Sequence, residues 1–299
     1  MILLFLLFLI YKKYLYMNNT CVCILTNIMN DYIVNRILKI NEQLADADLW
    51  ILYDGDKSTT DKRIIESNIN VFYIDKNEMV SLRITNENTD YRKNSVSFMV
   101  YFYYKHKEYD FYYLFEKDVL YTGNYNELVN NYKNDYSDIL IQNNANCRTG
   151  KVFDNGFLEL FDDMGWGISS IENAFPNCIS EMRLNDKTAK DYPYKILFQL
   201  YRCSNKLLNL YHKLITEDKV FGASEWALTA IILEYNISYN LFKEKTYTYF
   251  CGERNINYDL ENVNLSNTFI HNKALTESYM IIDDRNKFLC FNEYKLYNL

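Results

Sequence analysis

Four apolar runs near the start of this chain alternate with stretches of helical spacing, and that alternation limits the fold more than any other feature. Thr20-Cys-Val-Cys-Ile-Leu25, Leu49-Trp-Ile-Leu-Tyr53, Asn70-Val-Phe-Tyr-Ile74 and Phe111-Tyr-Tyr-Leu-Phe115 are short, largely apolar, and rich in β-branched and aromatic residues. Such runs read as buried strands. Between the first two, Ile33, Ile37 and Ile40 fall at the spacing of one helix face within Tyr32 to Glu42. Asp61 to Asn68 and Ser95 to Tyr104 predict two further helices. The order β-α-β-α-β-α-β predicts an α/β fold, Rossmann-like, with a mostly parallel central sheet and helices on both faces.

The rest is less regular. Asn124 to Lys133 predicts a helix and Asp138-Ile-Leu-Ile141 a strand. Phe153 to Ile168 reads as a loop, with Gly156, Gly165 and Gly167 around Trp166. Pro193 to Ile215 and Gly222 to Leu233 predict helices, and the tail carries short strands and His271. No repeat or Pro/Gly linker divides the chain. The expectation is one compact domain over residues 17–299, with a nucleotide half (17–125) and an acceptor half (126–299). Residues 1–16 stand apart. Met1 to Ile10 is apolar but half the length needed to span a bilayer, and its Lys12 and Lys13 follow the apolar run, whereas a signal peptide carries charge before it. This segment is either a short hydrophobic anchor or an extension ahead of a start at Met17.

Composition excludes some functions. With 49% hydrophobic and 17% aromatic residues among 299, the chain can build a core. The net charge is -7 and no dense Lys/Arg patch occurs, so the footprint of a nucleic-acid binder is missing. The 29 Tyr accompany many Asn, Ile and Lys, all with A/T-rich codons, so Tyr clusters are not evidence of a binding platform. Seven irregularly spaced Cys and three His give no zinc pattern. Reduced thiols and a cytoplasmic setting are expected, with Cys21 and Cys23 in the core.

Neither a Gly-x-x-x-x-Gly-Lys phosphate loop nor a Gly-x-Gly-x-x-Gly turn is present; Thr26-Asn-Ile-Met-Asn-Asp31 follows the first strand instead. A Gly-x-Ser-x-Gly elbow is also missing. The feature that points to chemistry is the aromatic strand ending in Phe115-Glu-Lys-Asp-Val119. Ligands of open α/β sheets bind beyond the carboxyl ends of strands, and residues i and i+2 of a strand share a face. Glu116 and Asp118 are expected to converge on one ligand while Lys117 turns away. Taken alone, the pair is better read as a solvated strand end.

Phe115-Glu-Lys-Asp-Val119 followed by Tyr121-Thr-Gly-Asn-Tyr125 resembles the aromatic-Glu-x-Asp-Val, Gly-Asn-aromatic variant of nucleotide-sugar glycosyltransferases of the GT-A fold. The composition further resembles proteins of giant DNA viruses of the mimivirus type. The resemblance implies a metal-dependent transfer from a nucleoside-diphosphate sugar, with UDP as carrier, to a glycan, protein or lipid acceptor. It implies Mn²⁺ or Mg²⁺ on Asp118, with Glu116 supporting the metal or the ribose. It further implies His271 as a late metal ligand, where His271 alone reads equally as part of an ordinary turn, Lys273 reaching the diphosphate, and Thr26, Asn27 and Asp54 lining the nucleotide, where Asp54-Gly-Asp56 reads equally as a plain turn. Glu225, in Phe221-Gly-Ala-Ser-Glu-Trp226, takes the place of the general base of an inverting enzyme, with Ser224 capping its helix. Trp166 stacks on the acceptor or is a core Trp; Arg83 meets a phosphate or is a surface charge. Arg202 and Ser204 are expected to be structural residues on a helix, and His106 to be solvated. The competing expectations are a nucleotidyltransferase, which usually has a Gly-rich basic loop after the first strand, and an inactive glycan-binding or scaffold protein of the same fold.

Overall fold

In this computed structural model, the described residues are 19–85, 95–146, 157–159, 182–188, 190–192, 194–196, 199–222, 224–249, 266–272, 281–282 and 288–289. They begin with the expected alternation: β1 (Thr20–Thr26), α1 (Asp31–Gln43), β2 (Asp48–Tyr53), α2 (Lys62–Glu66), β3 (Asn70–Tyr73), α3 (Lys76–Ser81), α4 (Ser95–Lys105) and β4 (Phe111–Glu116). Next come β5 (Val119–Tyr121), α5 (Tyr125–Asn131) and β6 (Ile139–Asn146), then four two-residue strands, β7 (Leu158–Glu159), β8 (Arg183–Leu184), β9 (Lys187–Thr188) and β10 (Tyr194–Lys195). The described elements end with β11 (Leu200–Ser204), α6 (Asn205–Thr216), β12 (Val220–Phe221), α7 (Ser224–Glu234), β13 (Tyr239–Tyr249), β14 (Phe269–Asn272), β15 (Ile281–Ile282) and β16 (Phe288–Leu289).

Nine strands form one sheet in the order β3-β2-β1-β4-β11-β6-β13-β14-β5. β3, β2, β1 and β4 run parallel, as do β6, β13 and β14. β11 enters antiparallel between β4 and β6, and β5 lies antiparallel on β14. The expectation of an α/β fold with a mostly parallel sheet is borne out. Each face packs on its own helices, which is why β1 is apolar at nearly every position. Cys21 and Cys23 face the layer of α4, α6 and α7, and Val22 and Ile24 face that of α1, α2 and α5.

Local chemistry sets the helix starts. Asn30, Asp75, Asn124 and Ser204 each accept a backbone N–H from the first turn of the helix that follows, supplying a partner for a donor the helix cannot satisfy itself.

Several expectations are corrected. Pro193 to Ile215 is not one helix: Leu200-Tyr-Arg-Cys-Ser204 is a strand, and the helix starts at Asn205. All five strand residues are buried, and the slot between β4 and β6 needs a strand there. Arg202 is structural, as expected, but on this strand: its Nη1 and Nη2 donate to the carbonyls of Tyr132, Asp135 and Ser137, and it lies 4.2 Å from the Phe111 ring centroid. Ser204 is likewise on the strand, as the cap of α6. His106 is not solvated but stacks on Phe102 at 4.8 Å and lies 4.4 Å from Trp50. The strand expected at Asp138 to Ile141 continues to Asn146, and the tail, expected to carry short strands, holds the eleven-residue β13.

The chain passes from β4 into β5 through Lys117 and Asp118 alone, although β5 pairs with β14 at the far end of the strand order. Phe242 and Phe269 lie 5.4 Å apart, Tyr121 and Phe269 4.8 Å, and Phe115 and Phe269 6.2 Å. These aromatic contacts fix the chain on both sides of the Lys117-Asp118 corner.

Candidate nucleotide and metal site

The candidate site lies along the carboxyl edge of β2, β1 and β4. In register, Leu25 pairs with Glu116 and Thr26 with Tyr53. Neighbouring strands are about 4.8 Å apart, so the ends of these three lie within roughly 10 Å. From β1 the chain goes to β2 on one side, while β4 lies on the other, which is a topological switch point. Thr26 is buried, and its hydroxyl donates to the Ile28 carbonyl at 2.8 Å and accepts the Ile28 N–H at 3.2 Å. It braces the loop. Asn27, one residue on, is exposed. The Asp54 N–H donates to the Thr26 carbonyl at 2.9 Å, holding the Asp54-Gly-Asp56 turn beside β1.

The acid pair is built differently from the sequence expectation. Glu116 is the last residue of β4, but Lys117 and Asp118 form a turn and Val119 starts β5. Alternation along β4 puts Tyr112, Leu114 and Glu116 on the face of α4, α6 and α7, and Tyr113 and Phe115 on the other. Asp118 is carried by the corner instead, and is buried. Lys117 does not turn away: its Nζ donates to Asn27 Oδ1, joining the corner to the end of β1. Its carbonyl accepts a hydrogen bond of 2.8 Å from Arg36 Nη1 on α1.

His271 reaches this corner through the backbone. In β14 it pairs with Val119, the neighbour of Asp118. Residues paired across antiparallel strands have Cα atoms about 4.5–5.5 Å apart. Lys273 and Trp166 lie outside the described residues. Among the described residues, no three His, Cys, Asp or Glu form a cage for a metal. Two carboxylates at the mouth of a switch point nevertheless suit a hard cation, because Mg²⁺ and ions like it are bound through one or two carboxylates plus substrate phosphates. The donor set at Glu116 and Asp118 fits that kind of ion.

Glu225 sits in the first turn of α7 and is half-buried. Ser224 is the first helical residue, buried, rather than the cap. The approach depends on Gly222, whose φ is +133° and whose added Cβ would lie 2.8 Å from Met182 Cγ. The Glu225 carbonyl accepts the Ile196 N–H at 3.2 Å, and the Gln199 carbonyl accepts the Glu116 N–H at 2.9 Å. Three residues of chain span at most about 11 Å, so these two bonds tie Glu225 and Glu116 to one end of the sheet. Two buried phenols report the same neighbourhood. Burial pushes Tyr201 well up, and the charges of Cys203 and Glu116 add to it; burial also raises Tyr211, with Glu225 adding to it.

The structure thus brings together Thr26, Asn27, Asp54, Glu116, Asp118 and the backbone of His271, with Glu225 on the face of Glu116. Arg83 is exposed at the end of α3 with φ of 59°, and no contact joins it to the site among the described residues. Sequence reasoning misplaced Lys117 and passed over Arg36. Arg36 carried a signal: it falls on the apolar stripe of Ile33, Ile37 and Ile40, where a charge is out of place.

No protein-family model matches the sequence, and no curated protein matches it significantly. Among solved structures, the chain is similar to 4-diphosphocytidyl-2C-methyl-D-erythritol synthase from Anaerococcus prevotii, at 9% identity and a TM-score of 0.42, over 75% of this chain and 86% of that one. It is also similar to glucosyl-3-phosphoglycerate synthase from Mycobacterium tuberculosis with Mn²⁺, UDP and phosphoglyceric acid, at 13% identity and a TM-score of 0.35, over 64% and 57%. The same enzyme with its product, UDP and Mn²⁺ gives 11% identity and a TM-score of 0.36, over 75% and 70%. Likenesses this distant transfer no residue role and no activity to this chain.

Proposed function

We propose that this chain is a metal-dependent GT-A glycosyltransferase that moves a sugar from a nucleoside-diphosphate sugar, with UDP as carrier, to a glycan, protein or lipid hydroxyl, inverting the anomeric carbon. One observation carries this reading: Asn27, Asp54, Glu116 and Asp118 meet on one carboxyl edge at a switch point, with Glu225 on the face of Glu116. Asp54 and the loop after Thr26 hold the nucleoside. Asp118, with Glu116 and His271 as the further expected ligands, would hold a Mn²⁺ or Mg²⁺, and that ion would supply Lewis-acid stabilisation of the charge on the departing diphosphate. The roles expected of Lys273, at the diphosphate, and of Trp166, at the acceptor sugar, fall outside the described residues. Glu225 takes the proton of the acceptor hydroxyl as its oxygen bonds to the anomeric carbon. The donor's carbon–oxygen bond breaks, and its electron pair leaves with the nucleoside diphosphate.

A thermal-shift screen of nucleotide sugars, nucleoside diphosphates and nucleoside triphosphates, each with Mn²⁺ and with chelator, tests this reading. Ligands that bind the folded state raise its apparent stability by mass action. The expected result is a Mn²⁺-dependent shift with a nucleoside diphosphate and its sugar conjugates. Shifts confined to triphosphates would instead indicate a nucleotidyltransferase. Sugar-dependent shifts indifferent to chelator would indicate a binding protein without the transfer chemistry.

A further inference from the structure

We infer that Arg36 is a positioning residue for the acidic corner, kept there for ligand binding at a cost in stability. The inference rests on the metal reading of Glu116 and Asp118 given above. Arg36 is on α1 and only 8% exposed. Its Nη1 donates to the Lys117 carbonyl at 2.8 Å, while its buried Nε and Nη2 have no hydrogen-bond partner among the described residues. A buried guanidinium with two unmet N–H groups is unfavourable, and an apolar side chain of similar volume is usually as stable or better there. Packing therefore gives no reason for an arginine at this place on the stripe of Ile33, Ile37 and Ile40.

The bond it makes supplies the reason. Its acceptor is the carbonyl of the residue between the two acids. Lys117 is thereby held at both ends, by Arg36 at its carbonyl and by Asn27 at its ammonium. A ligand site must be held to within about 0.5 Å of its working geometry. Fixing the Lys117 peptide fixes where the Asp118 carboxylate starts from. Buried polar groups left unsatisfied in a folded protein call for such an explanation, and misplacement by about 1 Å at a site can remove most of its function.

The test is Arg36→Met, read by thermal melting and by Mn²⁺ titration with electron paramagnetic resonance, with and without UDP. The expected variant melts at or above the wild-type temperature yet binds Mn²⁺ at least about tenfold more weakly, the scale of one charge-assisted hydrogen bond. A purely structural arginine would do the opposite, lowering the melting temperature and leaving Mn²⁺ affinity of the folded protein intact. That outcome overturns the inference. If Arg36→Met does not fold, Arg36→Gln takes its place with the same expectation, and wild-type affinity in either folded variant is contradictory. Wild-type protein that takes up no Mn²⁺ in either condition overturns the metal reading and this inference together; equal uptake by wild type and variant overturns this inference alone.

Discussion

Asp118 and Glu225 have separable effects if the roles proposed for them hold. Glu225→Gln is expected to lower kcat by about 10²–10⁴-fold, the usual contribution of a general base, with nucleotide affinity within about twofold of wild type. A parallel rise in KM for the donor would remove Glu225 from the base role and the inverting outcome with it. Gly222 makes a different kind of claim, about stability alone. Its φ of +133° and the 2.8 Å approach of Met182 Cγ leave no room for a side chain. Gly222→Ala is expected to destabilise by about 1–3 kcal/mol, measured by chemical denaturation, and an unchanged midpoint would contradict the geometry. At this scale the sequence was legible where chemistry is local. The position of Glu116 at the end of a strand and of Glu225 at the start of a helix follows from local pattern. The roles of Lys117 and Arg36 do not, because they depend on α1 packing against a corner 81 residues away. Alternation along an unbroken strand placed Lys117 on the wrong side; the two-residue turn removes that alternation.

Among the elements, Asp138 joins the start of β6, the end of β11 and the approach to β13. Its carboxylate accepts from Ser204 Oγ at 3.1 Å, Ser238 Oγ at 2.8 Å and Lys206 Nζ at 2.8 Å. Burial alone would raise its pKa, but hydrogen bonds from Lys206, Ser238 and Ser204 outweigh it and hold the carboxyl below the usual range. Asp135, bonded to Ser137 and Asn240 and paired with Arg202 at 3.0 Å, is lowered in the same way against burial. Carboxyls depressed on folding stabilise the native state above their unfolded pKa, about 3.9, and lose that contribution as pH falls through the folded value. Stability should therefore be level near neutrality and decline below about pH 4. Asp138→Ala should lower stability by about 1–2 kcal/mol at pH 7, since the buried Ser204 hydroxyl loses its acceptor while the exposed Lys206 and Ser238 turn to water, and should flatten the acid limb. An acid limb identical to wild type would exclude Asp138 as its source. This network also explains the failed helix at Pro193 to Ile215. The apolar residues of 196–200 mimic helical spacing, while Arg202 and Ser204 are required on a strand by partners in 132–138 that no local pattern reveals.

For the molecule as a whole, the sheet was legible as far as local pattern reaches. β1 to β4 and their helices follow from continuous apolar runs and periodic faces. β5, β11 and β13 do not, because each is defined by the strand it pairs with: β5 by β14, β11 by β4 and β6, β13 by β6 and β14. The pairing of β5 with β14 sets the Asp118 corner beside the backbone of His271. A site assembled in this way from β1, β2, β4, the corner and β14 should bind metal and nucleotide as one unit, neither tightly without the other. The most direct test is calorimetric affinity for the nucleoside diphosphate selected by the thermal-shift screen, measured with Mn²⁺ and with chelator, on wild type and on Asp118→Asn. Wild type is expected to bind at least about tenfold more tightly with Mn²⁺, the scale of a charge-assisted contact, and Asp118→Asn to lose that gain while remaining folded. Equal affinity with and without the metal, or an undiminished gain in Asp118→Asn, would contradict a metal–diphosphate anchor at the end of β4.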